Sequence, residues 1–249
     1  MSDYILIEDH NFIEEAQILS EKISARIVND PALISSDDFV IRFADDTVSL
    51  SSNGLTVCGN LINMLPRLKF HNLSSELLVK AAKFSKLQHA LTAFDATAGL
   101  GEDSLLLSAS GFQVFLFEHD PVIACLLRDS LRRALKDPEL MKYVSHMHVI
   151  EGNSIEEMPN LSISPDLVYL DPMFPERQKS GLVKKKFQLL HHLEQPCANE
   201  IDLLNAAIQT KPRKIVVKRP LKGPFLADMK PAYSLKGKAI RYDCLLYPR

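Results

Sequence analysis

From residue 74 onward the chain alternates short apolar runs with longer stretches whose apolar residues recur at helical spacing. The runs at 90–94, 114–117, 146–150, 166–170 and 214–217 read as strands, and 239–247 as a last one. Between them, 121–135 and 199–210 read as helices, as does a stretch around 182–193. Ser74 is placed to cap a helix carrying Leu77, Leu78, Ala81, Ala82 and Phe84 on one face. A further helix runs from about 102 to 110, with Gly111 at its C-terminal cap, and Pro121 suits a first helical turn. Strands that alternate with helices predict an α/β fold, a mostly parallel sheet with helices on both faces.

The first part of the chain has a different pattern. Residues 4–7 read as a strand, 11–23 as a helix with Phe12, Ile13, Ala16, Leu19 and Ile23 on one face, and 39–43 with 47–50 as a hairpin around Asp45-Asp46. This predicts a small N-terminal α+β extension over 1–70 and a main domain over 71–249. No internal repeat and no low-complexity linker interrupts the chain.

The strand ends are polar as a set: Asp95, Glu118, Asn153 and Asp171 each end, or closely follow, an apolar run. In an open parallel sheet these ends share one crevice, where ligands bind. After Asp95 comes a turn with Gly99 and Gly101, then Glu102-Asp103 at a helix start. Such a turn lets a ligand approach the backbone. The third glycine of a dinucleotide fingerprint is replaced by Ser104. The pattern D-x-x-x-G-x-G from Asp95 to Gly101 fits S-adenosylmethionine instead, whose ammonium group suits a carboxylate at the strand end. Asp95 and the two glycines then face its methionine end. Glu118, about 20 residues further on, suits the ribose hydroxyls, and Asn153 and Ser154 suit an adenine edge.

The 249-residue chain has no run of about 18 apolar residues, and its start lacks the basic region of a secretory leader. Cys58, Cys125, Cys197 and Cys244 are scattered and form no metal spacing, which predicts reduced core thiols, no metal and a cytoplasmic protein. The net charge of −2 conceals an asymmetry. Residues 1–60 hold eleven acidic and three basic side chains, and residues 211–249 hold two acidic and eleven basic ones. A basic end of this kind suggests a polyanion partner.

Tyr169-Leu170-Asp171-Pro172-Met173-Phe174-Pro175 resembles the D/N-P-P-F/Y motif of amino-group methyltransferases. An exocyclic base amine is a poor nucleophile because its lone pair is delocalised. Asp171 and the Pro172 carbonyl can accept its N–H groups, while Phe174 offers a stacking face worth about 1–3 kcal/mol. The basic residues Arg177, Lys179, Lys184, Lys185 and Lys186 follow, and Lys218-Arg219 extends the expected RNA-binding patch.

Four segments together, 95–101, 169–175, 178–185 and 216–220, resemble the bacterial ribosomal RNA small subunit methyltransferase J family over about 67–242. The resemblance implies a Rossmann-like class I methyltransferase fold and methyl transfer from S-adenosylmethionine to N2 of a guanine in 16S rRNA of the small subunit. DNA and membranes are not expected partners. It also implies cofactor contacts at Glu102, Asp103, Glu118, His119, Asn153, Ser154 and Asp171. Two of these depart from the family pattern, in which arginine usually stands where this chain has Glu102 and often where it has His119. Methylation of another amine, and RNA binding without catalysis, are the alternatives.

Overall fold

The computed structural model describes residues 3–85, 90–172 and 199–247. Within them the main sheet has seven strands: β6 (Leu91–Asp95), β7 (Phe112–Glu118), β8 (Met147–Glu151), β9 (Leu167–Leu170), β10 (Lys214–Pro220), β11 (Tyr233–Lys236) and β12 (Ile240–Leu246). Their order is β11-β12-β10-β9-β6-β7-β8. β8, β7, β6, β9 and β10 are parallel, while β12 runs antiparallel to both β10 and β11.

Side chains alternate across each strand, and both faces are covered. Ala93, Leu167, Tyr169 and Val216 pack on one face with α4 (Leu77–Ala82), α5 (Glu102–Ala109) and α7 (Pro138–Val144). Phe94, Val168, Leu170, Ile215 and Val217 pack on the other with α8 (Ser154–Asn160) and α9 (Glu200–Gln209). Burial on both sides explains why the parallel strands read as apolar runs.

The extension forms a second sheet, ordered β2-β1-β3-β4-β5 and built from β1 (Asp3–Ile7), β2 (Arg26–Val28), β3 (Phe39–Ala44), β4 (Thr47–Ser52) and β5 (Leu55–Val57). α1 (Ile13–Ile23) packs on it through Ala16 and Leu19. The partner of this sheet in the main body is α6 (Pro121–Ala134), whose Val122, Ile123, Cys125 and Leu126 share a core with Ile5, Ile41, Phe43, Val48 and Leu50. Leu127 and Leu131 of the same helix face the main core. Part of the N-terminal acidity is used here, since Asp46 pairs with Arg132 and Lys136 beside α6.

Three details differ from the sequence reading. Ser74 caps no helix: it lies inside α3 (Phe70–Ser75), which follows α2 (Leu65–Leu68), and Glu76, at the N-terminal cap of α4, is drawn to Arg67 at 2.7 Å. The short strands β2, β5 and β11 arise where longer neighbours supply the pairing. Cys125 and Cys244 are buried free thiols, but Cys58 is exposed. The expected helix around 182–193, and Cys197, lie outside the described residues. Among the described residues no helix is long and apolar enough to cross a membrane.

Candidate active site

The sheet order reverses direction between β6 and β9, so their carboxyl ends open a crevice that begins with Asp95 and Asp171. Asp95 is 1% exposed and built into the turn that it starts. Its Oδ1 accepts the Thr97 N–H at 3.1 Å and its Oδ2 accepts the Ser104 hydroxyl at 2.5 Å. Burial pushes its carboxyl up to about 7, against the lowering effect of these two bonds. Gly99 and Gly101 have φ of 54° and 80°, left-handed values that suit glycine. A Cβ on Gly101 would meet Leu127 Cδ1 at 2.7 Å, so that glycine also serves the packing of turn against α6.

Glu118 ends β7 and is nearly buried. Its Oε2 accepts the Gly99 N–H and its Oε1 the Asp120 N–H, both at 3.0 Å. Its carboxyl thereby ties the glycine turn to the next loop. Burial raises its pKa, opposed by the two backbone donors. The neighbouring strand end is tied in by the Gly152 N–H, which donates to the Glu118 carbonyl at 2.9 Å. Asn153 caps α8, accepting the Ile155 N–H at 3.1 Å, and is exposed, whereas Ser154 is buried. His119 is well exposed, its Nδ1 3.7 Å from Glu118 Oε1.

The third group was not anticipated as a unit. Lys218, near the end of β10, donates to Asp171 Oδ2 at 2.8 Å and to Asp103 Oδ2 at 3.0 Å. The Tyr169 hydroxyl donates to the same Asp103 oxygen at 2.6 Å, and the Asp171 N–H donates to Thr97 Oγ1 at 2.8 Å. Four elements thus fix one carboxylate pair. Burial pulls the Lys218 ammonium down, but the two carboxylates outweigh it and hold the pKa above the ordinary lysine value. Burial raises the Asp171 carboxyl, and Lys218 opposes the rise.

The structure therefore gathers Asp95, Gly99, Gly101, Asp103, Glu118, Asn153, Asp171 and Pro172 along adjacent strand ends, with Glu102 exposed on the first turn of α5. It corrects the two basic residues expected in the RNA patch. Lys218 belongs to the crevice. Arg219 is 1% exposed, its guanidinium donating to Glu200 and to the Pro224 carbonyl, both at 2.9 Å, so it holds α9 and the following loop. Phe174, Arg177, Lys179, Lys184, Lys185 and Lys186 lie outside the described residues. Thr97, Ser104 and Tyr169 are the site residues that the motifs alone did not flag.

The donor set fits S-adenosylmethionine. That cofactor brings two cationic centres and a ribose diol that donates hydrogen bonds. The crevice offers Asp95, Glu118 and Asp171, all with carboxyls raised by burial and therefore stabilised by an arriving cation or donor. The parallel order, the switch point and this row of carboxylates define a class I methyltransferase site.

Comparison with known proteins agrees. Residues 19–247 match the family model described as "Putative SAM-dependent methyltransferase". The chain is 45% identical over 174 residues to ribosomal RNA small subunit methyltransferase J of Neisseria meningitidis serogroup B, covering 69% of this chain and 68% of that one. The protein of the same name from Pseudomonas fluorescens is 45% identical over 156 residues, covering 62% of this chain and 59% of that one. The crystal structure of a SAM-dependent methyltransferase from Neisseria gonorrhoeae superposes with a TM-score of 0.73 at 33% identity, over 98% of this chain and 95% of the other. The chain belongs to the SAM-dependent methyltransferases and, among them, to the ribosomal RNA small subunit methyltransferase J family.

Proposed function

We propose that this protein methylates the exocyclic N2 of a guanine in 16S rRNA of the small ribosomal subunit, in the cytoplasm. The observation that carries the reading is Asp171. It opens the D-P-M-F-P segment at the sheet's switch point, with its backbone N–H tied to Thr97 and one carboxylate oxygen tied to Lys218. Among the described residues its other oxygen accepts no hydrogen bond, which suits it to an amine N–H.

S-adenosylmethionine, when bound, supplies an electrophilic methyl group. Glu118 would hold the ribose hydroxyls, Asn153 with the backbone at Ser154 the adenine edge, and Asp95 with the Gly99–Gly101 turn the methionine end. Glu102, Asp103 and His119 line the same crevice. Asp171 and the Pro172 carbonyl accept the two N–H bonds of the guanine amine and so turn its lone pair outward. Pro172 has no N–H of its own to compete. Lys218 keeps Asp171 ionised and aimed. The surplus amine proton passes to water, so the residues contribute mainly positioning. The guanine has to leave any stack, which costs a few kcal/mol, least in a single-stranded loop. In this reading Phe174 would receive its face, and Arg177, Lys179, Lys184, Lys185 and Lys186 would hold nearby phosphates. In the same reading, residues 71–249 form the catalytic domain and residues 1–70 an extension of it.

The test is transfer of labelled methyl from S-adenosylmethionine to small subunits and naked rRNA from cells lacking this activity, followed by digestion to nucleosides. Label in N2-methylguanosine is expected. Label in another nucleoside, in DNA or in protein would replace guanine N2 with that acceptor. Cofactor binding without transfer to any acceptor would favour RNA binding without catalysis.

A further inference from the structure

With Lys218 and Arg219 turned inward, the basic surface among the described residues lies elsewhere on the site's rim. β12 is antiparallel to β10, and Ile240 stands opposite Pro220. Lys236, the last residue of β11, stands opposite Arg241. The turn between β11 and β12 therefore sits at the carboxyl edge of the parallel strands, beside the crevice. Lys222 joins it, because the Leu221 N–H donates to the Ala239 carbonyl at 2.9 Å. Lys222, Lys236 and Lys238 are exposed, and none of them pairs with a carboxylate among the described residues.

A second element reaches the same rim. Leu77, at the start of α4, packs so closely on the turn that a Cβ on Gly237 would lie 2.8 Å from its Cδ1. Just before it, Arg67 and Glu76 form a two-pronged ion pair at 2.7 and 2.9 Å that pins both ends of α3. The carboxylates of Asp103 and Glu102 also help to raise the Arg67 pKa, after Glu76 itself, so this clamp stands beside the crevice. α3 lies between Arg67 and Glu76. Its first residue, Phe70, is 89% exposed, the most exposed large apolar side chain among the described residues, and it is flanked by exposed Lys69 and His71. A solvent-facing aromatic ring beside Lys69, on the segment that leads into α4 and its contact with the lysine-bearing turn, has the chemistry of a stacking platform within an electrostatic groove.

We propose that this rim binds the single-stranded RNA flanking the target nucleotide, Phe70 stacking on a base while Lys236 and Lys238 hold phosphates. The proposal rests on the rRNA reading above. It is tested with Phe70→Ala and with the double variant Lys236→Glu/Lys238→Glu, titrated against transcribed 16S rRNA and a ten-nucleotide single-stranded RNA at about 50 to 200 mM salt. Phe70→Ala should weaken binding about fivefold or more, the low end of base–aromatic stacking. The double variant should reduce the slope of log affinity against log salt by about 1.4, at about 0.7 per single-strand contact. Melting temperature and S-adenosylmethionine affinity should match the wild type in both. Wild-type RNA binding left untouched by the substitutions overturns the rim proposal alone. A wild-type protein that holds cofactor but neither RNA sinks the rRNA reading itself. If Phe70→Ala impairs binding of a protein partner and leaves both RNAs unaffected, the surface serves protein docking and the proposal fails.

Discussion

Lys218 Nζ lies 2.8 Å from Asp171 Oδ2, so a basic residue near the end of the fifth parallel strand neutralises the acid of the D-P-M-F-P segment. Its second bond, to Asp103, leaves the ammonium between two carboxylates rather than facing a phosphate. Removing it should expose the effect of burial on Asp171. In Lys218→Met the Asp171 carboxyl, already raised by burial, loses the group that opposes the rise. Methyl transfer should fall by about 10²-fold, and the acidic limb of the pH–rate profile should move to higher pH. Lys218→Arg should restore part of the rate and the original limb. An unchanged profile in the methionine variant would assign Lys218 a packing role only.

Asp171 itself is tested by Asp171→Ala. Transfer should drop by at least about 10²-fold, the cost typical of a lost positioning group. The fold should survive, because Thr97 binds the residue through its backbone N–H. Turnover near the wild-type rate would remove Asp171 from the amine-holding role.

Asp95 gives a pH signature of the opposite kind. Its carboxyl titrates near 7 in the fold and near 3.8 when unfolded. Between these values the folded state holds the extra proton. Stability therefore declines as pH rises from about 4 to about 7, by up to about 1.4 kcal/mol per pH unit, and is flat above. Asp95→Asn keeps the acceptor for Thr97 and imitates the protonated acid. Its melting temperature should lack this decline and equal or exceed that of the wild type at pH 8. Cofactor binding should tighten with rising pH through about 7 in the wild type and lose that dependence in the variant. Calorimetry at several pH values measures both.

Arg219→Ala separates the inward residue from the surface ones. Removing the buried guanidinium takes away its bonds to the Pro224 carbonyl and to half-buried Glu200, which among the described residues keeps only the Ala227 N–H, at a cost of about 2 kcal/mol and a fall in melting temperature. The salt dependence of RNA binding should not change. A stable Arg219→Ala protein with a flattened salt slope would return this residue to the RNA surface.

Gly101→Ala meets two penalties together, a left-handed φ of 80° and an approach of 2.7 Å to Leu127 Cδ1. A loss of about 2–3 kcal/mol follows from strain and overpacking, read as a shift of roughly 5–10 °C in thermal unfolding.

The sequence was most legible where burial leaves least choice. The parallel strands had to be apolar on both faces, so their positions and polar ends stood out, and Asp95, Glu118 and Asp171 with them. Edge strands such as β2 and β5 have only three residues each and owe their existence to a neighbour, so their own pattern was weak. Lys218 and Arg219 looked like one basic patch because they are adjacent. Adjacent residues on a strand point to opposite faces, and here one points into the crevice and the other toward α9. Ser104 read as a missing third glycine, yet its hydroxyl is what holds Asp95. Contacts between residues 47 and 66 positions apart, Lys218–Asp171 and Tyr169–Asp103, arise only once the chain has crossed over.

α6 carries one consequence for how the protein comes apart. Its first two turns are apolar almost all round because Val122, Ile123 and Leu126 belong to the extension's core while Leu127, followed a turn later by Leu131, belongs to the main one. A helix claimed from both sides cannot release one neighbour without wetting the surface that neighbour covered. Peeling away the extension would uncover Val122, Ile123 and Leu126 together with Ile41, Phe43 and Leu50. The two sheets are therefore coupled through a shared helix, with Lys22 of α1 also reaching Glu151 of β8, so heat or denaturant should melt them in one cooperative transition, and residues 71–249 expressed alone should aggregate through the bared side of α6.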